Sequence, residues 1–458
     1  MTVSQMKATK GIIGWKVAKL SLNVASVRYR ALLPVLALQD SGKNCRVFAD
    51  YDTRNLDDLS VLVIVKGLIP SDLHLARQAS SRGIPIVLDL CDCIFVENYG
   101  GDNYSVAPAK TFLAMAELAS AVVVSTEALA EVVRNQIGDR IPMFVIPDGV
   151  DSCELQVQAQ KVLQQSIAVA ISYQTEPATK SQPQKHLSLP AHSGWKRFRK
   201  KLSRKYRKLL TAVRTEGFGS ILRKHARKCS KILVRPFQRR ATIAAFQSSP
   251  QKFNPLETQQ TAVAVKCNSK RILWFGNHGA PYARFGMLDL LEIKDSLELI
   301  ASEMDVKLVV ISDNFDKYVQ HIKPLKFKSE YIAWSTTVVE QEFARASVVV
   351  IPNPLETFSI CKSANRATLA LKHGVPVVAT TTPALLPLAD CIVLDDFERG
   401  LRTYLTDKRK TKADIRRGQK LIQVLFGQPQ TLIEWNHVIH HAVSVSQTAV
   451  ARLFRKSA

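Results

Sequence analysis

Two short stretches concentrate the residues best suited to chemistry. One is IPNPLETFSICKSANRATLALKHGVPVVAT, residues 351–380. An apolar run ends at Pro352, a loop holds Glu356, and Lys362 and Ser363 stand where a helix begins. That helix stops at Gly374, and Val375 to Thr380 forms a second apolar run. A carboxylate in such a loop can accept hydrogen bonds from two neighbouring hydroxyls, as in a ribose. A lysine, a serine hydroxyl and the free N–H groups of a helix start can hold phosphate. The bland alternative makes Lys362 a solvated helix residue and Glu356 a loop charge. The other stretch is GNHGAPYARFG, residues 276–286. Gly276 and Gly279 let the backbone approach a ligand closely, and Arg284 offers charge to a diphosphate. His278 lies in the same loop, although a lone loop histidine usually binds nothing. The loop lacks GxGxxG spacing and by itself marks only a strand-to-helix turn.

Asp89 and Asp92, in LDLCDC, close another apolar run and suit either an acceptor hydroxyl or a cap on the next segment. Asp395 and Asp396 read as a turn, and His440 and His441 as structural. No DxD pair follows a clear strand, and Cys91 and Cys93 have no second Cys/His pair at zinc spacing. No metal site is therefore expected, and these residues single out no catalytic group.

The elements that must position these residues are legible as two series. KVAKLSL, CRVFAD, VLVIVKG, IPIVLDL, AVVVST and MFVIP are strand-length apolar runs between residues 16 and 147, separated by helix-patterned segments. The rhythm restarts at Lys270 with KRILWFG, VKLVVIS, EYIAW, SVVVIP, VPVVAT and CIVLDD. Strands apolar throughout, alternating with amphipathic helices, predict parallel sheets covered on both faces. From FERGLRTYL onward the chain reads as helical. The expected organisation is an N-terminal Rossmann-like domain (1–154), a linker with an insert (155–268), and a C-terminal Rossmann-like domain with closing helices (269–458). Two such domains in tandem leave a cleft at the carboxyl ends of their strands, where open parallel sheets bind ligands.

The order of these runs resembles that of retaining, nucleotide-sugar-dependent glycosyltransferases of the GT-B fold, family 4 type. SVRYRALLPVLALQDSG, ADYDT, GIPIVLDL, ASAVVVST and VIPDGVD are similar to the family's N-terminal half, and ILWFGNHG and SVVVIPNPLETFSICKSANR to its C-terminal half. Together they cover roughly residues 15–155 and 270–440. The resemblance implies that Glu356 is the first acid of an E-x7-E element on the donor's ribose or sugar. It implies that Lys362, Ser363, Asn365 and Arg366, a K-S-x-N-R run, lie near the diphosphate with Arg284. It places Arg28 and Arg30 on the acceptor side of the cleft. The implied chemistry is front-face transfer with retention, the leaving diphosphate held by cations and helix N–H groups without a metal; the nucleotide sugar is a co-substrate and no cofactor is implied. One departure is at the second acid: its usual place five residues before the glycine holds Leu369, and the position eight after Glu356 holds Ala364. It keeps a second reading in view, a non-catalytic relative acting as a binding or scaffold protein through its insert.

Composition bounds the rest. A hydrophobic fraction of 46% with 22% charged residues is ordinary for a globular chain. No apolar run is long enough to cross a membrane, and the N-terminal residues, without a clean apolar stretch and small-residue cleavage site, lead us to expect no secretory leader. The eight cysteines are scattered, as expected of reduced, mostly buried thiols in a cytoplasmic protein. The net charge of +24 is concentrated: between Trp195 and Arg240 there are 18 Lys and Arg against the single acid Glu216. Trp195, Phe198, Leu202, Tyr206 and Leu209 recur among these cations at helical spacing. A cationic amphipathic helix pair suits an anionic membrane surface, more than nucleic acid or an unliganded solvated face. The expected setting is the inner face of the cytoplasmic membrane, and the expected acceptor a glycan or lipid-linked molecule in polysaccharide or cell-envelope synthesis.

Overall fold

The computed structural model describes residues 11–97, 99, 106–175, 269–276 and 286–456. His278, Gly279 and Arg284 lie outside the described residues, as does the basic stretch 195–240.

The N-terminal domain carries β1 (Ile12–Lys16), β2 (Cys45–Phe48), β3 (Leu59–Val65), β4 (Ile86–Leu90), β5 (Ala121–Val124) and β6 (Met143–Val145). They form one parallel sheet in the order β2-β1-β3-β4-β5-β6. The helices are α1 (Leu33–Asp40), α2 (Pro70–Ser81), α3 (Pro108–Ala116), α4 (Glu127–Ile137) and α5 (Cys153–Thr175). Proline opens α2 and α3 at the first turn, where its missing N–H costs nothing, and the Thr126 hydroxyl accepts from Leu129 N–H to cap α4.

Two expectations fail here. The first strand is IIGWK, not KVAKLSL. Gly14 lies inside it because a Cβ there would come within 2.5 Å of Leu59 Cδ1. A mid-strand glycine reads as a break, but here it lets β3 pack close. The segment after residue 155, expected to be irregular, continues as a helix to Thr175. Ala159, Val162 and Leu163 hold it in the N-terminal core.

The C-terminal domain has β7 (Lys270–Phe275), β8 (Val306–Ser312), β9 (Ser329–Ala333), β10 (Val348–Ile351), β11 (Val377–Ala379) and β12 (Val393–Leu394). Their parallel order is β12-β11-β10-β7-β8-β9. Its helices are α6 (Lys294–Glu303), α7 (Thr336–Phe343), α8 (Thr357–Ile360), α9 (Asn365–Lys372), α10 (Phe397–Thr406), α11 (Lys408–Phe426) and α12 (Gln428–Lys456). All six expected strands are present, and the close is helical. Asp395, at φ 65°, binds Thr381 N–H, and Asp396 caps α10, so this acidic pair is a turn as expected.

Each sheet is buried on both faces, with one apolar cluster per face. Val438, Ile439 and Ala442 of α12 belong to a core of the N-terminal domain, where Trp435 meets Trp15 edge-on at 4.6 Å. The last helix thus ties the two domains together. Among the described residues no helix is long and apolar enough to cross a membrane.

Candidate functional site

Strand order fixes where a ligand can enter. In the C-terminal sheet the order reverses between β7 and β10, so Gly276 and Asn353 stand at a topological switch point. In the N-terminal sheet it reverses between β1 and β3, and Lys66 follows β3 directly. A cavity of about 560 Å³ joins the two points. Lys66, Asp92, Gly276, Lys362, Ser363 and Arg366 are among the residues that line it.

Lys362 and Ser363 occupy the link between α8 and α9; α9 begins at Asn365, three residues later than the spacing predicts. The Lys362 ammonium sits 4.1 Å over the Phe358 ring and 3.3 Å from Asp92. Asp92 also receives Lys66 at 2.6 Å. Burial alone would raise the Asp92 carboxyl, but Lys362 and Lys66 overcome that and hold it well below the usual carboxylate range. Asp92 is therefore a fixed anion and a poor proton acceptor. The Ser363 hydroxyl donates to Asp148 at 2.5 Å and Asn365 Nδ2 to the same oxygen at 3.4 Å. Arg366 donates to Asn353 Oδ1 at 3.0 Å.

The two arginines after β1 are buried rather than open. Arg30 makes a forked pair with Asp89, with contacts of 2.7 to 3.2 Å, and reaches Ile146 O at 2.6 Å and Asp148 at 3.2 Å. Arg28 pairs with Asp151 at 2.7 Å. Both line the cavity, but their hydrogen-bonding capacity is largely spent on the protein. Asp89 departs from its expected place facing an acceptor. Its side chain is fully enclosed beneath Arg30, so its role is to hold that guanidinium. Glu356 also stands apart: it is exposed at the N-cap of α8, makes no cap hydrogen bond and does not line the cavity.

Three cavity residues were not legible in the sequence. Lys66 takes φ 52°, a conformation that L side chains rarely adopt, which turns the chain sharply at the end of β3. Asp148 lies in VIPDGVD, where nothing in the residue types signals a contact with α9. Asp289 follows Gly286 in a 3₁₀ turn (Met287–Ile293) and is 4% exposed, with Oδ1 unpartnered among the described residues. Burial pushes its carboxyl up to about 7, against the opposing pull of the Gly286 N–H and the Arg366 charge. Burial likewise lowers Arg366, with Asp289 opposing. Leu369 lines the cavity as a partly buried apolar side chain where the second acid was looked for. Among the described residues no three His, Cys, Asp or Glu cluster as metal ligands, and Cys45, Cys91, Cys93, Cys361 and Cys391 are free thiols.

No protein-family model matches the chain, and no curated protein matches it. Solved structures do. It is similar to Anabaena HepE in complex with UDP and glucose, at 12% identity and TM-score 0.51 over 94% of this chain and 99% of that one. It is similar to sucrose-phosphate synthase from Thermosynechococcus elongatus, at 9% identity and TM-score 0.52 over 95% and 100%. A glycosyltransferase from Rickettsia africae matches at 9% identity and TM-score 0.50 over 95% and 99%. At such identities the likeness establishes the fold: two parallel α/β domains in the GT-B arrangement.

Proposed function

We propose that the protein is a glycosyltransferase that moves a sugar from a nucleotide-sugar donor to a glycan or lipid-linked acceptor. The observation that carries this is the gathering of Lys362, Ser363, Asn365 and Arg366 at one wall of the cavity, at the switch point of the C-terminal sheet. A diphosphate there meets one ammonium, one guanidinium and the N-terminal end of α9. The fold supports the reading, since similarly folded proteins are described in complex with UDP or UDP-glucose. The chain's own residues would then stabilise the leaving diphosphate, which is the chemistry expected of transfer with retention and without a metal. Arg284, His278, Gly276 and Gly279 are proposed to complete the donor side, and Lys66 and Asp92 to face the acceptor. Glu356 would need to swing inward to contribute. The basic stretch 195–240 supports an acceptor held at an anionic membrane surface.

Leu369 on the cavity wall favours one alternative, a donor-binding relative without turnover. A turnover assay separates the two. The full-length protein with a panel of nucleotide sugars and anionic lipid extract should release nucleoside diphosphate from one donor class, and Lys362→Ala should abolish the release. Binding of a donor without release would favour the alternative.

A further inference from the structure

The groups proposed to hold a diphosphate are not idle in this structure: carboxylates of the opposite domain stand on them. Asp92, just after β4, reaches Lys362 at 3.3 Å. Asp148, between β6 and α5, takes the Ser363 hydroxyl at 2.5 Å and the Asn365 amide at 3.4 Å. Both carboxylates belong to the N-terminal domain, and Lys362, Ser363 and Asn365 to the C-terminal domain.

We infer that Asp92 and Asp148 act as internal anions, competing with a diphosphate for Lys362, Ser363 and Asn365 and giving way when one arrives. The inference rests on the diphosphate reading of the cleft.

The exchange is chemically balanced. Each carboxylate keeps a cation of its own domain, Lys66 at 2.6 Å for Asp92 and Arg30 at 3.2 Å for Asp148. Parting from the C-terminal domain therefore leaves neither carboxylate without a counter-charge, so the penalty for a bare buried charge is not incurred. On the other side, Lys362, Ser363 and Asn365 lose an anion and regain one in the ligand. Without a diphosphate, these contacts link the α8–α9 segment to the N-terminal domain, beside the apolar packing of Phe358 and Cys361 in its core. With one, phosphate oxygens replace carboxylate oxygens on the same donors, and the N-terminal domain is free to turn toward its own substrate. The device also screens ligands. A neutral sugar cannot offer the charge needed to displace two carboxylates, whereas a diphosphate can. Other contacts between the domains near this point do not compete for those donors: Lys372 to Asp151 O at 2.8 Å, Val150 N–H to Phe426 O at 2.8 Å and Thr126 Oγ1 to Cys361 O at 3.0 Å end on backbone oxygens, and Gln156 Nε2 donates to Glu340 Oε1 at 3.3 Å.

The test compares the full-length protein with Asp92→Asn, Asp148→Asn and the double variant. Asparagine keeps the shape and removes the charge, and Arg30 retains Asp89, so the fold should survive; melting curves check this. Titration with inorganic pyrophosphate and with UDP should show about three- to tenfold tighter binding in each single variant, and more in the double. Hydrogen exchange in residues 357–365, measured without ligand, should be faster in the double variant than in the wild type. Equal or weaker binding by the folded variants overturns the inference. If no form binds pyrophosphate or UDP, the diphosphate reading itself fails. Exchange then decides the clasp alone, and an unchanged rate overturns it.

Discussion

Asp289→Asn isolates one buried charge. The residue is 4% exposed, its Oδ1 has no partner among the described residues, and burial lifts the carboxyl from 3.8 to about 7. The folded state therefore keeps a proton that the unfolded chain releases near pH 4. Between these values the folded protein binds more protons than the unfolded chain, so stability is fully present below pH 4 and falls as pH rises toward 7. About three pH units at about 1.4 kcal/mol each set an upper bound of about 4 kcal/mol on the loss. Asparagine cannot ionise. The variant should match the wild type near pH 4 and exceed it above pH 7 by up to about 4 kcal/mol. Unfolding by urea, followed by tryptophan fluorescence from pH 4 to pH 8.5, reads this directly. Because Asp289 lines the cavity, wild-type affinity for an anionic ligand should also weaken as the carboxyl ionises, and the variant should lose that dependence. A stability difference that stays constant with pH would refute the assignment of a raised carboxyl at this position.

Other positions carry sharp expectations. Asp89→Asn leaves the enclosed Arg30 guanidinium short of its forked partner and should cost about 3 kcal/mol or more in chemical denaturation. Gly400→Ala puts a Cβ within 2.8 Å of both Val378 methyl groups, where α10 lies on β11, and should cost about 1–3 kcal/mol by thermal unfolding. Trp435→Ala removes the edge contact with Trp15, and a loss of about 3–5 kcal/mol is expected, with α12 detaching first in hydrogen exchange.

What the sequence made legible follows from how local each feature is. Among the described residues, eleven of the twelve strands fall on the predicted apolar runs, because a strand buried on both faces needs little beyond continuous Val, Ile and Leu. The exception, Ile12–Lys16, contains Gly14, whose purpose is visible only once Leu59 lies across it. Lys362, Ser363, Asn365 and Arg366 are neighbours along the chain, and the cavity gathers all four. Arg28 and Arg30 line the cavity, but the acids that neutralise them were not legible, since Arg30 and Asp89 lie far apart in sequence and meet only through the sheet. Asp148 was equally hidden: its partners Ser363 and Asn365 belong to the other domain. Asp289 carries no local mark, because only burial makes it unusual.

The central claim is that the C-terminal switch point binds a nucleoside diphosphate through Lys362 and its neighbours. Calorimetric titration of the full-length protein with nucleoside diphosphates and their sugars, alongside Lys362→Ala, tests it most directly. The account predicts micromolar binding of one nucleotide family, weakened about tenfold or more in the variant. Folded protein that binds none of them, or a Lys362→Ala variant that binds as tightly as the wild type, would contradict it.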